Sequence, residues 1–139
     1  MQGRPGSPSD GLFAALSRFR QAWPKRGWSW DSRLSCVASS FGVDLAAEAR
    51  QTTKIAFPNE FTQATLRNAP PLVREIAEQT GGIRPDQLIL ASEPALLGFA
   101  YGLWWPWGDD TTISLRIGVS GRALNAELMR FREIFGALD

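Results

Sequence analysis

The sequence contains no histidine and only one cysteine among its 139 residues. The absence of histidine removes the commonest general base near neutral pH, the usual partner of a nucleophilic serine or cysteine, and the commonest metal ligand. The lone Cys36 cannot form an intramolecular disulfide, and without histidine it cannot complete the four-ligand set of a structural zinc site. We therefore expect a non-catalytic protein that holds no metal and no cofactor.

Long apolar runs are also missing. The N-terminal residues MQGRPGSPSD lack the apolar stretch of a secretory signal, and no run elsewhere approaches the length of a membrane-spanning helix. Small secreted domains usually depend on several disulfides, so the single cysteine favours a reducing compartment. These features predict a cytoplasmic protein that does not insert into a membrane.

What the chain does have is the composition of a folded protein. Hydrophobic residues make up 44% and charged residues 21%, close to the globular average. The length suits one hydrophobic core. We predict a disordered lead-in over residues 1–7, rich in glycine, proline and serine, and a single α+β domain over residues 8–139.

Helical patterns fill the first half of the sequence. Ser7 and Pro8 predict the start of a helix, which Pro24 ends, and its apolar stripe is Leu12, Phe13, Leu16, Phe19 and Trp23. Asp31 is a suitable N-cap for a second helix, with Leu34, Val37, Ala38 and Phe41 on its inner face. This helix would bury Cys36 as a small core residue.

Three shorter helical segments are predicted before residue 83. They cover residues 45–55, one or two turns within EFTQATLRNA, and a helix from Pro70 that closes at Gly81 and Gly82. The first half should therefore be entirely helical.

The pattern changes to strands from Asp86. The segments QLILA and LGFAYGLWW are short apolar runs, and TTISLRIGV alternates apolar and polar residues. The loop PWGDD between the last two fits a hairpin. We expect a three-stranded antiparallel meander over about residues 86–119, followed by a C-terminal helix that covers it, in an α+β fold.

The six tryptophans fall into two clusters, at residues 23–30 and 104–107. Trp104 and Trp105 should point to opposite faces of a regular strand. In one interpretation, the loop with Trp28 and Trp30 packs over the small residues Gly98, Ala100 and Gly102. In the other, Trp107 and part of the first cluster are exposed anchors of an interface.

The leading hypothesis is a protein-interaction module, such as a small regulator, an inhibitor or immunity-type factor, or an assembly subunit. It would bind a protein partner or a second copy through a tryptophan-rich hairpin, since Trp and Arg dominate such interfaces. The candidate partner-binding residues are Trp104, Trp107, Asp109, Asp110 and Arg116.

A second hypothesis is nucleic-acid binding. Residues 1–33 carry six basic and two acidic residues, whereas the remainder is net acidic. The candidate patch for a nucleic acid or another anion is Arg18, Arg20, Lys25, Arg26, Trp28, Trp30 and Arg33, where cations would meet phosphates and a tryptophan would stack on an unpaired base. The overall pI of about 7.9 argues against it.

A third hypothesis is a small-molecule or carbohydrate site lined by the tryptophans and Tyr101. Glu60, Asp109 or Asp110 would supply acid chemistry there. Asp109 and Asp110 could also hold a divalent cation, although an adjacent pair in a hairpin loop is more typical of turn chemistry.

Overall fold

The computed structural model describes residues 10–93, 100–119 and 125–137. The predicted lead-in, residues 1–7, and the predicted cap at Ser7 lie outside these ranges. The helices are α1 (Asp10–Ala22), α2 (Ala46–Thr53), α3 (Pro71–Gln79) and α4 (Asn125–Phe135), and short 3-10 turns occupy Val43–Leu45 and Leu66–Asn68. The strands are β1 (Ser29–Asp31), β2 (Cys36–Gly42), β3 (Asn59–Phe61), β4 (Leu88–Ala91), β5 (Ala100–Pro106) and β6 (Thr112–Val119).

The strands form one antiparallel six-stranded sheet with the order β1-β2-β6-β5-β4-β3. The prediction of a three-stranded meander is therefore wrong, although the α+β class agrees with the structure. The three expected strands are present as β4, β5 and β6. These three strands are neighbours in the sheet. Strands β1 and β2 lie on one side of them and β3 on the other, and all three come from the N-terminal half of the chain.

The main error concerns the residues after Asp31, which form a β-hairpin and not a helix. A turn containing Ser35, with φ of 52°, reverses the chain, and β2 then pairs with β6 from Cys36 opposite Gly118 to Gly42 opposite Thr112. Val37 and Phe41 are four residues apart, a spacing that fits one helical face and one strand face equally well. Pairing with β6 stabilises the strand.

A second error concerns the segment EFTQATLRNA. Its first residues belong to β3, which pairs with β4 through Phe61 opposite Ile89. Only Leu66–Asn68 is helical, as a single 3-10 turn. The predicted helices at the start of the chain, in residues 45–55, after Pro70 and at the C-terminus correspond to α1, α2, α3 and α4.

One face of the sheet carries α1, α2 and α4 over an aromatic core. The ring of Phe19 lies 5.1 Å from Trp23, 5.9 Å from Trp28 and 5.8 Å from Phe57, measured between centroids. Trp23, Trp28 and Trp104 are only 6%, 8% and 4% exposed. Trp28 and Ala100 belong to the same buried cluster, and the Trp28 ring contacts Phe19, Trp23 and Phe135. The packing of Trp28 over the small residues of β5 stays a prediction, since Gly98 lies outside the described residues and Gly102 is approached by Leu115 and Leu90.

The opposite face of the sheet carries α3 over a smaller cluster. Val73, Ile76 and Ala77 of α3 pack against Ile89, Ala91 and Leu103. This helix covers the side of the sheet formed by β3, β4 and β5. None of the helices in the described ranges is long and apolar enough to cross a bilayer.

Candidate functional site

Over half of the face that carries α3, the described residues form no hydrophobic cluster. The side chains that leave β1, β2 and β6 on this side belong to neither core cluster of the described residues. We call this surface the open sheet face. It consists of Ser29, Asp31, Cys36, Ala38, Ser40, Ser114, Arg116 and Gly118, and it is flanked by Tyr101 and Trp105 of β5.

Small residues form the floor of the open sheet face. Ala38 of β2 is opposite Arg116, and Ser40 is opposite Ser114, which in turn pairs with Trp105. Ser40 is exposed and Ala38 is half-buried, whereas Cys36, Ser114 and Gly118 are buried. The floor is therefore low, and the Arg116 side chain extends across part of it toward Asp31 on β1.

Arg116 is the charged centre of this face. Its Nε lies 3.5 Å from Oδ2 of Asp31, its terminal nitrogen donates to Ser114 Oγ at 3.1 Å, and its guanidinium lies 5.4 Å from the centroid of the Trp105 ring. Nε is buried and has no hydrogen-bond partner of good geometry among the described residues. The side chain is thus held flat against the sheet by a charge, a hydroxyl and a ring.

Asp31 is held in its ionised form. Burial on its own would raise the pKa of Asp31, but the backbone N–H groups of Arg33 and Leu34, the charge of Arg33 and the polar contact with the Arg116 side chain hold it below the ordinary value. The Arg33 N–H donates to Asp31 Oδ1 at 3.0 Å. At neutral pH the open sheet face therefore contains a formed Asp31–Arg116 ion pair.

Cys36 lies beneath these charges and is 0% exposed. Burial, followed by the negative charge of Asp31, raises the pKa of its thiol to about 12. The predicted burial is confirmed, although Cys36 lies on a strand and not on a helix. Because the thiol stays protonated near neutral pH, it does not act as a thiolate nucleophile there.

Tyr101 closes the end of the face next to Cys36. A Cβ placed on Gly118 would lie 2.5 Å from Tyr101 Oη, so the ring lies directly across this glycine. Burial raises the pKa of Tyr101. The lack of a side chain at Gly118 is what allows the phenol to pack here.

The other end of the face is the β5–β6 hairpin loop, which the sequence correctly placed. The Trp107 side chain is 48% exposed. The backbone N–H of Trp107 donates to Thr112 O at 2.8 Å. This bond extends the ladder by one residue, and Trp107 shares the alternation of Trp105. Trp107 is therefore exposed at this end of the sheet.

The two carboxylates of the hairpin loop differ in their roles. Asp109 accepts hydrogen bonds from the N–H groups of Thr111 and Thr112 at 2.9 and 3.0 Å, and these bonds hold the pKa of Asp109 below its ordinary value. Asp110, with φ of 60°, is exposed. Asp109 therefore stabilises the turn, and Asp110 is available to solvent.

The five predicted partner-binding residues do not all meet. Trp104 is buried on the opposite face of the sheet, where the Arg50 guanidinium lies 5.4 Å from its ring centroid. Trp107, Asp109 and Asp110 cluster at the hairpin loop, and Arg116 lies on the open sheet face. Sequence reasoning missed Asp31 and Ser40, because they join this face only once β1 and β2 are recognised as strands. It also did not name Trp105 as a site residue, although β5 and β6, which bring it to Arg116, were both predicted.

The predicted anion patch is divided in a similar way. Arg20, Lys25, Arg26 and Trp28 line one pocket, whereas Arg18, Trp30 and Arg33 do not. Trp30 is covered by the Arg132 guanidinium, 4.2 Å from its ring centroid. Arg132 thus lies against the Trp30 ring, and Trp28 is only 8% exposed, so neither expected ring presents a free surface for an unpaired base.

The carboxylates of the small-molecule hypothesis are also apart. Glu60 is on β3, three positions from β6 in the sheet, and its Oε1 pairs with Arg50 at 2.8 Å. Within the described ranges, no group of three or more cysteine, aspartate and glutamate side chains is placed to hold a metal ion.

Comparison with known proteins adds no identification. No family model, no curated protein and no solved structure matches this chain.

Proposed function

We propose that this protein is a non-catalytic interaction module that works as a self-associated pair, with the open sheet face as its contact surface. The observation that carries the proposal is the combination of a low floor, an exposed Trp107, and a held Arg116–Trp105 pair on a face without a hydrophobic cluster of described residues above it. Tryptophan and arginine held in fixed positions are the residues that dominate protein interfaces.

The charges at the two ends of the face support a second copy as the partner. Arg33, in the turn between β1 and β2, has an 83% exposed side chain whose Nε lies 3.6 Å from Asp31 Oδ1. Because Asp31 also pairs with Arg116, two arginines share one carboxylate and this end of the face is net basic. Asp110 marks the acidic end, at the hairpin loop. Strand β2 runs from Cys36 opposite Gly118 to Gly42 opposite Thr112, so the turn and the hairpin loop lie at opposite ends of the same face.

A surface with opposite charges at its two ends is self-complementary. A two-fold axis between two such faces, perpendicular to β2 and β6, places the hairpin loop of each copy on the turn of the other. Asp110 then approaches the partner copy's basic turn, and Trp107 gains a cation next to its ring. The small exposed Ser40 adds little bulk to the contact, so the two copies can approach closely there.

The size of the face sets the expected strength of the pair. The face spans three strands about 4.8 Å apart, and each residue adds about 3.3 Å along a strand. Its area is therefore about 400 Å². Standard stable interfaces bury about 800 Å² on each partner. The pair should therefore be reversible and weaker than a standard stable interface.

Ser40→Arg tests this proposal with little risk to the fold. Ser40 is exposed at the centre of the floor, so an arginine there adds bulk and charge to the contact without entering the core. Sedimentation equilibrium between about 10 and 500 μM should show a concentration-dependent dimer that Ser40→Arg abolishes. Gln51→Arg, at an exposed position of α2, is the matched control and should leave the dimer intact. A wild-type monomer at every concentration would contradict the proposal.

A further inference from the structure

A pocket of ≈ 370 Å³ lies where α1 ends, outside the open sheet face. Six side chains line it, namely Arg20, Gln21, Trp23, Lys25, Arg26 and Trp28. The helix supplies the first two and the loop to β1 supplies the rest. Gly27, with φ of 90°, allows the loop to turn between Arg26 and Trp28, a conformation that residues with a Cβ rarely adopt.

All the charged side chains that line this pocket are positive. Arg20, Lys25 and Arg26 line it, and no carboxylate does. Within the described ranges, no ion pair engages any of the three cations. Like charges brought together without a counter-charge repel each other, and an anion bound between them relieves that repulsion.

Lys25 is held in place for this role. Its Nζ donates to Ser40 O at 2.9 Å, on the stretch of β2 that β1 does not pair. An ammonium has three donors, so two remain after this bond. Arg20 and Arg26 are exposed and can offer planar guanidinium groups, which match the geometry of a phosphoryl group.

The remaining walls limit the size and kind of ligand. Trp23 and Trp28 line the pocket but are only 6% and 8% exposed, so neither offers an exposed ring face on which a base can stack. The volume lies at the lower end of the range for small-molecule sites. We propose that this pocket binds a small organic phosphate, with its phosphoryl group between Arg20, Lys25 and Arg26.

Inorganic pyrophosphate is the test probe, titrated into isotopically labelled protein and followed through the indole N–H resonances. The resonances of Trp23 and Trp28 should shift in a saturable way, and that of Trp107 should not. The variant Arg20→Gln/Arg26→Gln should weaken binding by about tenfold or more, because it removes charge-assisted hydrogen bonds. Arg74→Gln, at an exposed position of α3, is the control and should bind as the wild type does.

Three results would overturn the phosphate proposal. The first is that pyrophosphate causes no saturable shift. The second is that the double variant binds pyrophosphate as tightly as the control variant does. The third is that the protein prefers oligothymidylate to pyrophosphate, which would indicate a nucleic-acid surface. None of them bears on self-association, because Arg20 and Arg26 lie outside the open sheet face.

Discussion

Asp31 and Arg116 meet across a strand that lies between them. Asp31 is on β1 and Arg116 on β6, with β2 in the middle, yet Asp31 Oδ2 and Arg116 Nε are 3.5 Å apart. The contact is possible because β2 presents only Cys36 and Ala38 beneath it. The pair therefore covers the part of the open sheet face formed by Cys36 and Ala38, whereas Ser40 stays exposed.

Asp31→Asn should make the protein less stable at neutral pH, by about 1 to 3 kcal/mol, since hydrogen bonds to a charged group are lost. The pKa of Asp31 is lower in the folded protein than its ordinary value of 3.8. Its contribution is therefore present above pH 3.8 and is lost as the pH falls through the lowered pKa. Urea unfolding at several pH values should show the wild type and the variant converging in acid.

The control for this pH dependence is Glu78→Gln, at an exposed position of α3. It should change the free energy of unfolding by less than about 0.5 kcal/mol at any pH. A constant difference between Asp31→Asn and wild type, from neutral pH into acid, would show that Asp31 is not held in its ionised form by folding.

Ser39→Ala and Ser40→Ala form a matched pair on adjacent positions of β2. Ser39 Oγ accepts a hydrogen bond of 3.0 Å from the indole N–H of the buried Trp23, whereas Ser40 is exposed. Ser39→Ala leaves this N–H without its partner and should cost about 1 to 3 kcal/mol. Ser40→Ala should cost less than about 0.5 kcal/mol. Equal costs, measured by urea unfolding, would mean that the indole hydrogen bond contributes nothing.

Gly118→Ala tests the packing of Tyr101. The added methyl would meet three atoms of the Tyr101 ring and hydroxyl, the nearest at 2.5 Å, so the ring must move. We expect a loss of about 1 to 3 kcal/mol, as for other overpacked sites, together with a changed tyrosine signal in the near-ultraviolet circular dichroism. Gly108→Ala, where nothing lies within 4 Å of the added methyl, should keep both properties. An unchanged tyrosine signal in Gly118→Ala would contradict this placement of the ring.

Cys36 should be unreactive in the native protein. Its side chain is fully buried and its pKa is raised to about 12, so at pH 8 almost no accessible thiolate exists. A chromogenic disulfide reagent should label one thiol per chain in denaturant and react in native buffer only as fast as the protein opens. Rapid labelling under native conditions would place Cys36 at the surface.

The elements predicted correctly are those whose sequence pattern fits only one type of secondary structure. β6 alternates over eight residues, α1 has an unbroken apolar stripe, and prolines mark the start of α3. The β5–β6 hairpin followed from its loop composition. These features depend on neighbours along the chain and need no knowledge of distant contacts.

The missed elements depend on distant contacts. Val37 and Phe41 fit a helix until β6 is known to lie beside them, and β3 has only three residues, too few to show alternation. The candidate site shares this limit. Trp107 and Arg116 could be named from residue type alone, but Asp31 joins them only through the pairing of β1 with β2 and of β2 with β6.

The self-associated pair is tested most directly by exchanging the charges at the two ends of the open sheet face. Arg33→Glu and Asp110→Lys should each weaken the dimer in sedimentation equilibrium, because each sets like charges against one another across the two-fold axis. The double variant Arg33→Glu/Asp110→Lys restores opposite charges at both contacts and should recover most of the wild-type association. If both single variants dimerise as the wild type does, or the double variant remains monomeric while folded, the proposed arrangement is contradicted.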